Sequence, residues 1–241
     1  MVSTLSSLPP ELICRIFQSA DDFSVVVALA KTARNFYNIW RKHPTSICKA
    51  VAPRTISNFA DAEWLVDLQE EAEALRQDGC DDRAILRAKR LLFNARCASA
   101  ACEKLSRLRS GKEWWNADIS VLWRVVGRSR VFTPSDLAGF KHVFYCVCAV
   151  GVMARAASPE EKSPAFLDRC GRLDLRNLVV FSSWLTHCYE NDYGSSDLDF
   201  SETWKAGCKL INKRWRARRK EWPNEPVIAC VSLSPITRLF T

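Results

Sequence analysis

The sequence has few of the residues and motifs that carry catalysis or phosphate binding. Its 241 residues include three histidines and eight glycines, and the glycines are scattered singly. G-x-S-x-G, H-E-x-x-H, Walker-type and G-x-G-x-x-G motifs are all missing from it. Nucleophile-elbow hydrolases, zinc proteases and nucleotide-binding enzymes are therefore not indicated. We expect a protein that is not an enzyme and that needs no cofactor.

The cysteines also lack the spacing of a metal site. There are 11 of them, and no two form a C-x-x-C pair. The best metal candidate is His142 with Cys146 and Cys148, but the two cysteines point to different faces of a helix. His187 and Cys188 suggest a thiol nucleophile, yet adjacent helical residues point about 100° apart. We therefore expect no metal, and reduced thiols packed as small hydrophobic groups.

No segment is typical of export or of a membrane span. The opening MVSTLSSLPP has no basic region followed by an apolar stretch, so we expect no signal peptide. The longest uncharged run, near Val143–Ala154, is too short to span a bilayer and predicts a buried core helix. The expected location is the cytoplasm, the nucleus or both, without membrane contact.

Helix signals dominate the chain. Prolines at positions 9 and 10, 134, 159 and 164 follow the pattern of helix starts, and Gly79 and Gly111 that of helix ends. The run VVVALA (25–30) is rich in β-branched residues, but no partner strand flanks it, and we predict a helix. Only VIACVSLS near the end looks extended. We predict an all-α fold with a three-helix module over 5–45, an irregular multi-helix domain over 46–222 and a tail over 223–241.

Residues 5–45 have a characteristic order of elements. A proline-started amphipathic helix is followed by an acidic turn, an apolar helix and a Thr-x-Arg-x-aromatic helix that ends in Trp40. This order resembles the F-box. The residues that carry the resemblance are Leu8, Pro9, Glu11, Leu12, Ile13, Ile16, Phe17, Asp22, Val26, Leu29, Thr32, Arg34, Phe36 and Ile39.

The resemblance implies a function in protein degradation. F-box modules connect substrate receptors to Skp–cullin–F-box ubiquitin ligases by binding the Skp adaptor and, through it, cullin. The implied adaptor contacts are Leu8, Pro9, Leu12, Ile13, Ile16, Phe17, Val26, Leu29, Phe36 and Ile39. The stretch from Ala28 to Glu71 further resembles F-box proteins of filamentous fungi, in which a short helix and a Pro-Arg-x-Ile segment follow the box. The alternative is that LPPELICRIF (8–17) is the first helix of a larger helical domain.

The most polarised stretch is SETWKAGCKLINKRWRARRKEW (201–222). One side of this predicted helix carries an aromatic seam of Trp204, Cys208, Ile211, Trp215 and Trp222. A flank carries a basic ridge, which we define as Lys205, Lys209, Lys213, Arg216 and Lys220. Three interpretations stay open: a solvated face, nuclear import or nucleic-acid contact, and contact with an acidic patch on a protein substrate.

The sequence therefore favours a non-catalytic substrate receptor of a ubiquitin ligase. The helical remainder would bind an unidentified protein substrate, although from about Gln69 onward it lacks tryptophan-aspartate and leucine-rich repeats. One alternative is a helical nucleic-acid-binding or nuclear protein that uses the basic helix 202–222. Another is a scaffolding protein with a degenerate F-box.

Overall fold

Helices make up the regular structure of the protein. The computed structural model describes residues 8–74, 83–110, 133–156, 159–186, 198–218 and 220, and within these ranges it contains no strand. The helices are α1 (Pro10–Gln18), α2 (Phe23–Thr32), α3 (Arg34–Lys42), α4 (Pro44–Thr55), α5 (Phe59–Ala74), α6 (Arg83–Ser110), α7 (Pro134–Arg155), α8 (Pro159–Arg169), α9 (Arg172–Trp184) and α10 (Leu198–Arg218). The all-α prediction is confirmed, and VVVALA is helical within α2. The extended-looking VIACVSLS segment and the predicted helix ends at Gly79 and Gly111 lie outside the described residues.

Short polar side chains set the starts of several helices. The Asp22 carboxylate accepts a hydrogen bond from the Val25 backbone N–H at 3.0 Å and caps α2. Thr133 and Asp136 form a reciprocal capping box at the start of α7, with distances of 3.1 and 2.8 Å. Asn58 begins α5 with a positive φ of 58°, a conformation that asparagine tolerates better than most residues. These caps follow directly from the local sequence.

One predicted helix start is wrong. Pro164 lies inside α8, which begins at Pro159. Because proline has no backbone N–H, one backbone hydrogen bond of the helix is missing. Pro164 is exposed, so water can satisfy the carbonyl that this leaves without a partner. Pro53 lies inside α4 in the same way and is also exposed. Both helices therefore accommodate an exposed proline, in the middle of α8 and in the last turn of α4.

The chain divides into two compact units, Met1–Val66 with Asp78–Arg96 and Asp67–Gln77 with Cys97–Thr241. The predicted domain boundaries at 45/46 and 222/223 stay predictions. In the first unit, Phe17 and Phe36 meet edge to face with ring centroids 5.9 Å apart. Its α4 contributes Ile47 and Val51 to the same core, each with 0% exposure. Helix α4 thus packs onto the three helices of the F-box-like module.

The second unit is built around α7. This helix has 22 residues and, judged by length and composition alone, is long and apolar enough to cross a membrane. The uncharged run within it, near Val143–Ala154, is shorter and predicts no membrane span. In the protein, 78% of its most apolar 18-residue stretch is buried. Helices α8, α9 and α10 all pack against it. The prediction of a buried core helix around Val143–Ala154 is therefore confirmed.

Two glycines bring α7 and α10 into backbone contact. A Cβ atom added to Gly151 would lie 1.9 Å from the Thr203 carbonyl oxygen, and one added to Gly207 would lie 2.3 Å from that of Val147. Such distances are impossible for real side chains, so the crossing requires glycine on both helices. The crossing also holds the seam of α10 in the core of this unit, where Trp204, Cys208 and Ile211 are at most 4% exposed.

Candidate protein-binding surfaces

Helix α1 presents two different faces. Ile13 and Phe17 are fully buried and form the core face. Pro9 is exposed, Leu12 is 45% exposed, and Ile16 is half-buried. Proline at the first helical positions suits this start because the N–H groups there have no helical partner. The second face therefore leaves apolar groups at the surface immediately beside the proline start.

Helices α2 and α3 leave further large apolar groups in contact with water. Val25 is 40% exposed, Val27 50% and Tyr37 51%. Val26 lies between the two valines and is buried, because a helix can turn only one side of a three-valine run toward the core. Sequence reasoning missed these exposed residues. The signal available was the apolar run itself, which is longer than one helical face can bury. We call Leu12, Val25, Val27 and Tyr37 the exposed apolar residues of α1–α3.

The structure separates the ten predicted adaptor contacts into two groups. Five have their side chains in the core of the first unit, namely Ile13, Phe17, Val26, Phe36 and Ile39, each at most 5% exposed. The other five are exposed or half-buried, namely Leu8, Pro9, Leu12, Ile16 and Leu29. In this conformation the first group supports the module from within, and only the second group is accessible to another chain.

Arg54 ties α4 to the end of α1. Its guanidinium donates to the Ala20 carbonyl oxygen from Nη2 at 2.8 Å and from Nε at 3.2 Å, and Nη2 also donates to the Gln18 carbonyl oxygen. Carbonyls at a helix C-terminus attract cations because they form the negative end of the helix dipole. A residue of the Pro-Arg-x-Ile segment thus fixes the helix that carries Leu12.

The turn between α1 and α2 is held by Asp22. Its carboxylate accepts hydrogen bonds from the Ser24 hydroxyl at 2.6 Å and from the Val25 N–H. These bonds favour the ionised form and hold the pKa of Asp22 below its usual value. The cap at the start of α2 is therefore charged at neutral pH.

The basic residues of α10 serve two separate purposes. Arg214 pairs with Asp168, and Arg218 donates to the carbonyl oxygens of Leu167, Asp168 and Cys170 at 3.5, 3.4 and 3.0 Å. Both arginines therefore hold the C-terminal end of α8, which is a structural role.

The basic ridge lies apart from those two arginines. Lys209, Lys213, Arg216 and Lys220 are exposed. Lys205 is half-buried, and its Nζ atom lies 3.7 Å from Oε1 of Glu202. On the seam side Trp215 is half-buried, while Trp222 lies outside the described residues. The structure thus leaves four of the five ridge residues accessible.

The thiols of the described residues are arranged for packing. Eight cysteines are free there, and six of them are buried. Burial raises the pKa of Cys48 and Cys102 to about 11 and that of Cys170 and Cys208 to about 12. Such thiols carry little thiolate near neutral pH and are poor nucleophiles.

The metal candidate forms only a pair. Cys146 Sγ lies 3.5 Å from His142 Nε2, and both residues are buried. Cys148 is buried too, but no group of three or more His, Cys, Asp or Glu residues could hold a metal ion within the described part of the chain. His187 and Cys188 lie outside that part.

Comparison with known families identifies the domain that carries the first of these surfaces. Residues 5–47 match the model of the F-box domain. The chain carries an F-box domain. The match covers α1–α3 and the first turn of α4, which is where the exposed apolar residues lie. No curated protein and no solved structure matches the chain. The F-box resemblance of the N-terminal sequence is thereby confirmed, and the further helices follow it as predicted.

Proposed function

We propose that this protein is a substrate-receptor subunit of a Skp–cullin–F-box ubiquitin ligase. The observation that carries the proposal is an F-box domain whose fold is complete while large apolar side chains stay at its surface. F-box domains bind the Skp adaptor, and the adaptor binds cullin. The receptor itself needs neither catalytic residues nor a cofactor, because its ligase partners carry out the chemistry.

The proposed adaptor surface combines predicted and newly found residues. From the sequence prediction it takes Leu8, Pro9, Leu12, Ile16 and Leu29, which are accessible. From the structure it adds Val25, Val27 and Tyr37. Apolar area buried at an interface contributes about 25 cal/mol per Å² before the costs of association. A mostly apolar centre with one aromatic anchor has the composition of a stable protein interface.

The remainder of the chain is the proposed substrate-binding region. Residues 46–222 form further helices within the described ranges. A ubiquitin-ligase receptor of this kind works in the cytoplasm, the nucleus or both, and without membrane contact. We further propose kinship with the F-box proteins of filamentous fungi, on the strength of the stretch from Ala28 to Glu71 and its Pro-Arg-x-Ile segment.

Co-expression with a Skp adaptor tests the proposal. The wild-type chain should retain the adaptor on a tag. The double variant Leu12→Asp/Tyr37→Asp should reduce retention at least about tenfold, since charge at an interface core removes most of its favourable burial. The matched control is Leu86→Asp/Phe93→Asp, because both of these α6 side chains are 38% exposed. It should retain the adaptor at the wild-type level. Wild-type protein that never retains the adaptor, or a double variant that retains it fully, would overturn the proposal.

A further inference from the structure

The accessible part of the basic ridge is a regular row of charge. Lys209, Lys213 and Arg216 are exposed on α10 and follow one another at intervals of four and three residues. At about 100° and 1.5 Å per residue, they lie within about 60° of one another and span about 10 Å. Within the described ranges, none of these three residues forms an ion pair with an acidic group of this protein. The row is therefore available to an anionic partner.

The row stands on a rigid support. The opposite side of α10 is buried through Trp204 and Ile211. At Gly207 the helix meets the backbone of α7 directly, and Arg214 pairs with Asp168 of α8. A row of charges held at fixed spacing loses little conformational freedom on binding, apart from that of the side chains themselves.

We propose that this row is a binding surface for an acidic polypeptide segment. A segment with carboxylates at three- and four-residue intervals on a helix, or at alternate positions of an extended strand, would place negative charges about 5 to 7 Å apart. Those distances match the cationic row. The assignment of this segment to the substrate of the ligase rests on the proposed receptor function.

The observations favour a polypeptide over nucleic acid. Proteins that bind duplexes through phosphates commonly neutralise about 6 to 10 of them, and the row with Lys220 supplies fewer cations. Binding of single strands also relies on aromatic side chains that stack on bases. On the seam side of α10, Trp204 is 3% exposed and belongs to the core, and Trp215, the seam tryptophan nearest the row, is half-buried.

Fluorescence anisotropy on the full chain tests the proposal. The probe is a short fluorescein-labelled peptide in which glutamate alternates with serine, and the control peptide has glutamine in place of glutamate. At low ionic strength we expect binding of the acidic peptide only, with affinity that falls as salt is added. The triple variant Lys209→Glu/Lys213→Glu/Arg216→Glu should lower this affinity at least about tenfold.

A matched variant distinguishes the effect of the row on binding from the effect of the net charge of the protein. Arg83, Lys89 and Arg96 are exposed cations on α6, and their triple change to glutamate alters the charge of the protein by the same amount. This control should keep the affinity for the acidic peptide within about twofold. An equal loss in both triple variants would overturn the proposal, and so would the absence of acidic-peptide binding by the wild type. Tighter binding of a DNA or RNA oligonucleotide than of the peptide, at the same ionic strength, would overturn it in favour of nucleic acid.

Adaptor retention measured on the same samples keeps the two proposals distinguishable. The α10 triple variant should retain the Skp adaptor like the wild type. Wild-type protein that binds the acidic peptide but never the adaptor would remove the receptor function and leave the acidic-segment surface in place. The reverse result would remove the surface alone.

Discussion

The two units of this protein differ in whether their large apolar residues are exposed or buried. Within the described ranges, six large hydrophobic residues are exposed, and all six lie in the first unit. The described part of the second unit exposes none, and from His142 to Met153 its helix α7 is buried at every position. The apolar runs VVVALA and VFYCVCAVGVM look alike in the sequence. Helix α7 is packed by α8, α9 and α10, whereas α2 packs mainly against α3, so the packing around a run decides whether its residues reach the surface.

We propose that this contrast separates an adaptor-binding surface from a core for stability. Exposed valines and a tyrosine add little to the stability of the unit that carries them, and another chain could cover them. The second unit instead presents charge at its surface, as on the row of α10. Each of the following predictions tests one side of this comparison.

The largest expected effect comes from the core of the first unit. Phe17→Ala should lower the free energy of unfolding by about 4 kcal/mol, because it removes a fully buried ring and leaves a cavity beside Phe36. Leu12→Ala on the other face of the same helix should change it by less than about 0.5 kcal/mol. Urea denaturation of both variants measures the difference. Similar losses in the two variants would show that α1 does not have one structural and one accessible face.

The next effect lies at the glycine crossing in the second unit. Gly207→Ala should lower the free energy of unfolding by about 3 kcal/mol, since its Cβ would lie 2.3 Å from a backbone oxygen and the helices must separate. The control is Gly171→Ala, whose Cβ would meet only the Asp174 carboxylate, at 3.1 Å. This control should lower the free energy of unfolding by less than about 1 kcal/mol. Thermal unfolding followed by circular dichroism distinguishes them, and a neutral Gly207→Ala would refute the close crossing.

Arg54 should show a smaller and more specific effect. Arg54→Ala removes the donors to the Ala20 and Gln18 carbonyls and should lower the free energy of unfolding by about 1 kcal/mol. The effect is small because the side chain is partly exposed to water. The same variant should weaken adaptor binding by about threefold, because α1 loses its attachment to α4. The matched control, Arg96→Ala, changes an exposed arginine of α6 in the same unit and should affect stability less. Equal effects would show that the contact with α1 contributes nothing.

The last prediction concerns the buried thiols. The pKa of Cys170 and Cys208 is raised to about 12, so both groups are neutral at pH 8 and should react slowly with a thiol reagent until the protein unfolds. Because folding raises the pKa of these thiols above the value of 9.0 for an unfolded thiol, the neutral thiols favour the folded state at pH below 9.0. This contribution to the free energy of unfolding declines as the pH rises from 9.0 toward 12. Stability should therefore fall between pH 9 and 11. Rapid native-state labelling of all the cysteines at pH 8 would contradict the buried positions.

The sequence predicted the fold class and the F-box well because both depend on local signals. Asp22, Thr133, Pro10 and Pro134 mark helix starts, and spacing places Ile13 and Phe17 on one face. The surface could not be predicted in the same way. A motif lists apolar positions without saying which ones the module buries itself, so Val26 and Phe36 were grouped with Leu12. The packing of α4 through Ile47 and Arg54 is long-range in sequence and leaves no periodic pattern.

Hydrogen–deuterium exchange of the chain with and without a Skp adaptor tests whether the F-box helices bind that adaptor. We expect a complex in which amide exchange slows in Pro10–Gln18, Phe23–Thr32 and Arg34–Lys42, with no change in Pro134–Arg155 or Leu198–Arg218. Protection in the last two helices with none in the first three would contradict it. So would the absence of any complex with the adaptor.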